Sequence, residues 1–217
     1  MNLSTLLLIA PPILIALTFH ECAHAYVAYR CGDNTAKKLG RLSLNPLRHL
    51  DPLGTIMIFL VHFGWARPVP VNPYQLKNPR KDMLWISAAG PLANILLALA
   101  SGLLLRLLFA MGGTPGSHTS IAMELFIFMV IMSLQINLAL AIFNILPIAP
   151  LDGSKILFGL LPAGFAKFMA VLERYGPFVL LGLIIIGRGT DVSILGALIW
   201  PFVDYFSKLF AGISLIV

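Results

Sequence analysis

The sequence predicts an all-α polytopic membrane protein, and three observations carry that prediction. Of its 217 residues, 59% are hydrophobic and 11% charged, whereas a soluble domain carries about 25% charge. The mean hydropathy is +0.90. The cations are also segregated. Nine of the fifteen Lys and Arg fall between Arg30 and Lys81, and none between Met111 and Ser120. By the positive-inside rule the first segment is cytoplasmic and the second lies across the membrane. The net charge of +6 therefore reads as topology and contact with anionic headgroups. No separate basic module is present to bind nucleic acid.

The first span is expected from about Leu3 to Tyr29. Leu3 to Phe19 holds no charge and no basic n-region precedes it, so it reads as a mature span and not as a signal peptide. The N-terminus is then outside. Cys31 to Lys81 is long, irregular and rich in Pro, Gly and Asn. Within it, Thr55 to Phe63 is apolar but too short to span, which suggests a re-entrant or interfacial element. Arg67 to Val71 alternates and carries prolines, the pattern of an edge strand or short hairpin. Such an edge could hold an extended substrate by strand addition.

A second span is expected from about Met83 to Phe109, and a third from Ile121 to Leu146, stopped by Pro147 and Pro150. Leu151 to Leu161 reads as a short amphipathic helix. Tyr175 to Gly187 is short for a span. Val192 to Val217 is longer but interrupted by Pro201, Asp204 and Lys208. About five spans result, in one domain covering residues 1–217. Cys22 and Cys31 make no disulfide framework.

His20-Glu21-Cys22-Ala23-His24 is an H-E-x-x-H pattern at the end of the first span. Positions i and i+4 share a helix face, so two imidazoles can meet one metal. Glu21 beside them is placed to take a proton from water. Cys22 points off that face and reads as packing. The bland alternative is a pair of helix-end histidines with Glu21 snorkelling to the headgroups.

A catalytic zinc site needs a third ligand, and Asp152 follows the prolines that end the third span. Gly153 frees the backbone to aim its carboxylate. Asp152 as a mere helix N-cap is the competing reading. Gly90 and Pro91 permit close helix approach and a kink. Asn94, read from the residues alone, is an interhelical hydrogen-bonding residue.

Depth unites these groups. The first and third spans end inside and the second begins there, so His20, His24, Asn94, Asn144 and Asp152 lie at one level. Gln135 and Asn137 sit within the third span. Asn137 shares the Asn144 face and reads mainly as helix packing. His49, His62 and His118 fit no ligand spacing and read as loop or interfacial residues. Tyr26, Tyr29, Trp65, Trp85 and Trp200 fit an aromatic belt.

At this point the chain resembles the site-2 protease family of intramembrane zinc metalloproteases. His20 to His24 matches its H-E-x-x-H. Asn144 to Gly153 matches its N-x-x-P-x-x-x-x-D-G pattern, and Gly90 to Asn94 its G-x-x-x-N. Gly64 to Pro73 is similar to the segment the family carries between its first two core helices. The likeness runs from about residue 18 to 155. It implies three core transmembrane helices with one Zn2+ inside the bilayer. It implies cleavage in or beside the transmembrane segment of a membrane-protein substrate. It carries the ligand role onto His20, His24 and Asp152, and the base role onto Glu21. Asn144 and Asn94 would hold the substrate or the developing oxyanion.

Many members add a PDZ or nucleotide-sensing domain, and this chain shows neither. Gating then falls to the core or to a regulatory membrane partner. The expected location is the inner membrane of a prokaryote, with the site near the cytoplasmic face. The rival function is a membrane metal-ion transporter using His20, His24 and Asp152, which would not need Glu21.

Overall fold

The computed structural model describes residues 3–54, 57, 66–113, 120–189 and 193–212. Five of its helices are long and apolar enough to cross a membrane. The chain is an all-α, polytopic integral membrane protein.

Helix α1 (Leu3–Arg30) is followed by a single turn, α2 (Thr35–Lys38). Gly32 makes the corner between them at φ +109°, and a Cβ there would stand 3.1 Å from the Gln75 carbonyl. The long helix α3 (Pro79–Ala110) returns across the membrane. Then come α4 (Ile121–Ile145) and the short α5 (Asp152–Leu160). The chain closes with α6 (Ala166–Gly189) and α7 (Ile194–Ala211). Proline begins α3, where its missing N–H costs nothing. Ser120 and Ser193 cap α4 and α7 with their hydroxyls.

Helix α3 is the hub. It packs on α1, α4, α5 and α7. Its distal half shares an apolar cluster with α4 and α7, built on Ala98, Leu105, Ile127, Leu134 and Val203. Gly102 lets α7 come close, since a Cβ there would meet Phe210 Cβ at 2.5 Å. Arg106 donates to the Phe210 and Leu209 carbonyls (2.7 and 2.6 Å). It thereby satisfies the end of α7. Gly90, on the same helix α3, is twelve residues from Gly102, about 18 Å at 1.5 Å per residue. The larger apolar cluster thus occupies the distal end of the bundle, while a smaller one, Ala28, Leu76 and Ile86, shares the other end with the polar groups.

Several sequence expectations are corrected. Tyr175 to Gly187 is part of a longer helix that begins at Ala166. The early charges Lys167, Glu173 and Arg174 hid its first turns. Asp204 and Lys208 do not interrupt α7, because they pair across one turn (2.5 Å).

The expected β element shrinks, among the described residues, to one antiparallel bridge between Leu50 and Ala66. Arg67 N donates to the His49 carbonyl (2.8 Å), and no ladder continues. Pro68 and Pro70 remove the donors a strand would need. Apart from Met57, the proposed re-entrant run 55–63 lies outside the described residues. So do His62, Trp65 and His118. His49 is fully buried, and its Nε2 meets the Ser43 carbonyl at 2.7 Å, so it organises the loop around it.

Candidate active site

The site forms where the end of α1 meets the start of α3 and the α4–α5 connection. His20 and His24 are both buried. Their rings stand edge to face with centroids 4.6 Å apart. Each ring is oriented by its Nδ1. His24 Nδ1 lies 2.6 Å from the Ile86 carbonyl, and His20 Nδ1 lies 2.6 Å from Asn94 Oδ1. A carbonyl only accepts, so both Nδ1 atoms carry the proton. Both Nε2 atoms are then lone pairs, and they face each other at 3.0 Å.

Asp152 Oδ2 completes the triangle at 3.2 Å from each Nε2. This oxygen is buried with no hydrogen bond of its own. Three electron-rich atoms converge with no proton between them, an arrangement that only a cation relieves. A tetrahedral zinc with ligand bonds of about 2.0–2.1 Å needs ligand atoms about 3.3 Å apart. The observed spacing fits that requirement. Among the described residues this is the one group of three His, Cys, Asp or Glu able to hold a metal.

Two glycines make the convergence sterically feasible. A Cβ on Gly90 would lie 2.4 Å from His24 Nε2 and 2.6 Å from His20 Nε2. Any side chain there would occupy the space the ligands enclose. A Cβ on Gly153 would lie 2.1 Å from the Ile145 carbonyl oxygen. Gly153 is therefore needed for close approach to the end of α4. It is not among the positive-φ glycines, which corrects the expectation of backbone freedom. Asp152 does not cap α5 either. Leu151 holds the cap position, Asp152 is the first helical residue, and its carboxylate turns to the histidines.

Glu21 is half-buried on the next face of α1. Its Oε2 accepts from the backbone N–H of Val69 at 2.9 Å. That segment is itself clamped by buried Arg41, whose guanidinium donates to the carbonyls of Arg67 and of Pro68 (3.3 Å for the latter). Four backbone groups of Arg67–Val69 are thus already engaged. Arg41 carried no signal in the sequence. The Arg67–Val71 alternation that includes Val69 suggested an edge for substrate but not a contact with Glu21, because these contacts run through the backbone of a distant loop.

Asn144 is half-buried at the end of α4, with Nδ2 donating to the Leu140 carbonyl at 3.0 Å. Asn94 differs from the role its motif implied. It is fully buried, and Nδ2 donates to Ala16 O (3.1 Å) and Asn137 Oδ1 (2.8 Å). With both hydrogens used, it has none left for a substrate or an oxyanion. Its Oδ1 instead meets His20 Nδ1. Cys22 and Cys31 are free and contribute nothing to the ligand set.

Helices of membrane length that carry this candidate ligand set define a membrane protein able to hold a metal ion within its bundle. Comparison with known proteins narrows the class. The family model for peptidase family M50 matches residues 113–183, the stretch containing Asn144 and Asp152. "Putative zinc metalloprotease YwhC" of Bacillus subtilis is 43% identical over 205 residues, covering 93% of this chain and 90% of that protein. "Putative zinc metalloprotease Rip2" of Mycobacterium tuberculosis is 35% identical over 102 residues, covering 44% of this chain and 39% of its own length. Its namesake in Mycolicibacterium smegmatis is 29% identical over 178 residues, covering 79% and 64%. No solved structure matches. The chain belongs to peptidase family M50, the site-2 protease family of zinc-dependent peptidases.

Proposed function

We propose that this protein is an intramembrane endopeptidase that hydrolyses a peptide bond within or beside the transmembrane segment of a membrane-protein substrate. One observation carries the reading. Three lone-pair atoms converge where Gly90 leaves room for a metal, and Glu21 is held one residue from the first of them by a separate loop.

Zinc held by His20, His24 and Asp152 would supply Lewis acidity and a lowered pKa for water. Glu21 takes the proton from the attacking water and passes it to the leaving amine. Val69 N–H fixes the carboxylate so that one oxygen stays free for this transfer. Asn144 uses one amide hydrogen on Leu140, and its second is available to the developing oxyanion. The substrate must be extended at the cleaved bond, because a helix shields its own carbonyls.

The membrane is proposed to be a prokaryotic inner membrane, with the N-terminus outside. The cation-rich Arg30–Lys81 segment adjoins the end of α1 that bears the site, which supports a site near the cytoplasmic face. A regulatory membrane partner is proposed for gating. Transport of metal is the less favoured reading, since a transit site has no use for a fixed Glu21.

The test is cleavage of a single-span model substrate by purified protein. Glu21→Gln should keep its zinc and fold while losing activity by about 100-fold or more. Near-parental cleavage by this variant would defeat the mechanism, and zinc movement into vesicles would favour transport.

A further inference from the structure

The metal ligand His20 is oriented by a hydrogen-bond chain that does not stop at Asn94. Asn94 Nδ2 donates to Asn137 Oδ1 at 2.8 Å, and Asn137 Nδ2 donates to the Ser133 carbonyl at 2.8 Å. Asn94 and Asn137 are both fully buried between α1, α3 and α4. The Asn137 amide also reaches Ser133 Oγ (3.4 Å), which in turn meets Ser101 Oγ (2.9 Å).

We propose that Asn137 is a positioning residue for the zinc site, setting the tautomer of His20 through the Asn94 amide. The inference rests on the zinc reading of the His20, His24 and Asp152 cluster. An amide can sit either way round, and the two orientations have opposite consequences. With Oδ1 toward His20, Nδ1 keeps its proton and Nε2 is a ligand. With the amide reversed, its NH2 would meet Nδ1, the proton would move to Nε2, and the ligand would be lost.

Two backbone carbonyls break this symmetry, because a carbonyl can only accept. The Ser133 carbonyl fixes the Asn137 amide with its NH2 toward α4's own backbone. Asn137 Oδ1 is thereby turned to Asn94 as an acceptor. The Ala16 carbonyl asks the same of Asn94 from the α1 side. A reversed Asn94 would bring its oxygen against two acceptors at a fully buried position, where such a clash is costly. The order therefore runs from the backbone of α4, through two side chains, to the lone pair on His20 Nε2. Partners of this outer kind commonly alter metal affinity by about 10–100-fold.

The experiment is zinc affinity of the full-length purified protein in detergent, measured by competition with a chromophoric chelator. The tautomer of His20 is read in parallel from 15N-histidine NMR of the zinc-free protein. Asn137→Leu removes the three hydrogen bonds of this amide at similar volume and should weaken zinc binding by about 10-fold, with Nε2–H signal appearing at His20. Asn137→Asp in its neutral form keeps one donor and one acceptor, and should bind zinc within about threefold of the parent. This variant also serves if Asn137→Leu does not fold. Ser133→Ala perturbs the same interface but keeps the Ser133 carbonyl, and should leave affinity unchanged.

If Asn137 acts through Asn94, adding Asn137→Leu to Asn94→Ala should cost little beyond Asn94→Ala alone. Additive losses, or parental affinity in Asn137→Leu, would overturn the proposal while leaving the zinc reading intact. Failure of the parent itself to bind zinc would remove both.

Discussion

His20 and His24 are held from inside the helix bundle, whereas Glu21, between them in sequence, is held from outside it. The ligands meet Ile86 and Asn94 on α3, and their partners are buried helix groups that cannot move without disturbing packing. Glu21 meets the backbone of Val69, in a loop held, among the described residues, by one β-bridge and an Arg41 clamp. The candidate metal ligands are preorganised by the fold, and the proposed base, Glu21, by a peripheral strap. The difference teaches that the candidate ligands and Glu21 have separate supports, and if the proposed roles hold, mutations should separate metal binding from proton transfer.

The largest effect should come from Gly90→Ala. Its methyl would lie within 2.4–2.6 Å of both ligand nitrogens, closer than any van der Waals contact. Zinc analysis should find the metal almost absent and cleavage lost with it. Normal zinc content in this variant would mean that α3 can retreat from α1, and that the ligand side is less rigid than described.

Val69→Pro should come next and act on the other side alone. It deletes the one N–H that Glu21 accepts, between two residues that are already proline. Zinc should be retained, while kcat falls by about 10-fold with little change in KM. Arg41→Ala should do the same more weakly, and Arg41→Lys should recover part of the loss. Zinc loss in Val69→Pro would show that the strap supports the ligands as well.

The smallest effect concerns the loop anchor. Asp33 is fully buried and accepts from Thr35 N (2.8 Å) and Asn72 N (2.7 Å), joining the end of α1 to the segment before α3. Burial alone would raise its pKa. The hydrogen bonds from Thr35 and Asn72 outweigh this and hold it below the ordinary carboxylate value. A lowered folded pKa gives stability that is present above the unfolded value, about 3.9. That stability is lost as pH falls through the folded one. Asp33→Asn should therefore lower the thermal midpoint near pH 7, and the gap from the parent should close as the medium is acidified below about pH 4. A gap independent of pH would show that the carboxylate charge is irrelevant to the strap.

The sequence by itself determined the class of fold and pointed to the residues that the structure brings together as candidate ligands. Composition and cation placement call for membrane helices. Helical periodicity puts His20 and His24 on one face, and charge bias brings Asp152 to their depth. These are local or one-dimensional properties, so they survive without coordinates. Tertiary structure alone decided the rest. That Asn94 has no hydrogen left for substrate depends on Ala16 and Asn137, which are 78 and 43 residues away. That Gly153 serves close approach depends on where α4 ends. That Glu21 is held by Val69 depends on a backbone N–H, a group every residue but proline carries and no motif can mark. Hydrogen bonds to main-chain atoms leave no trace in residue identity, so which of them a fold uses is settled only when distant segments meet.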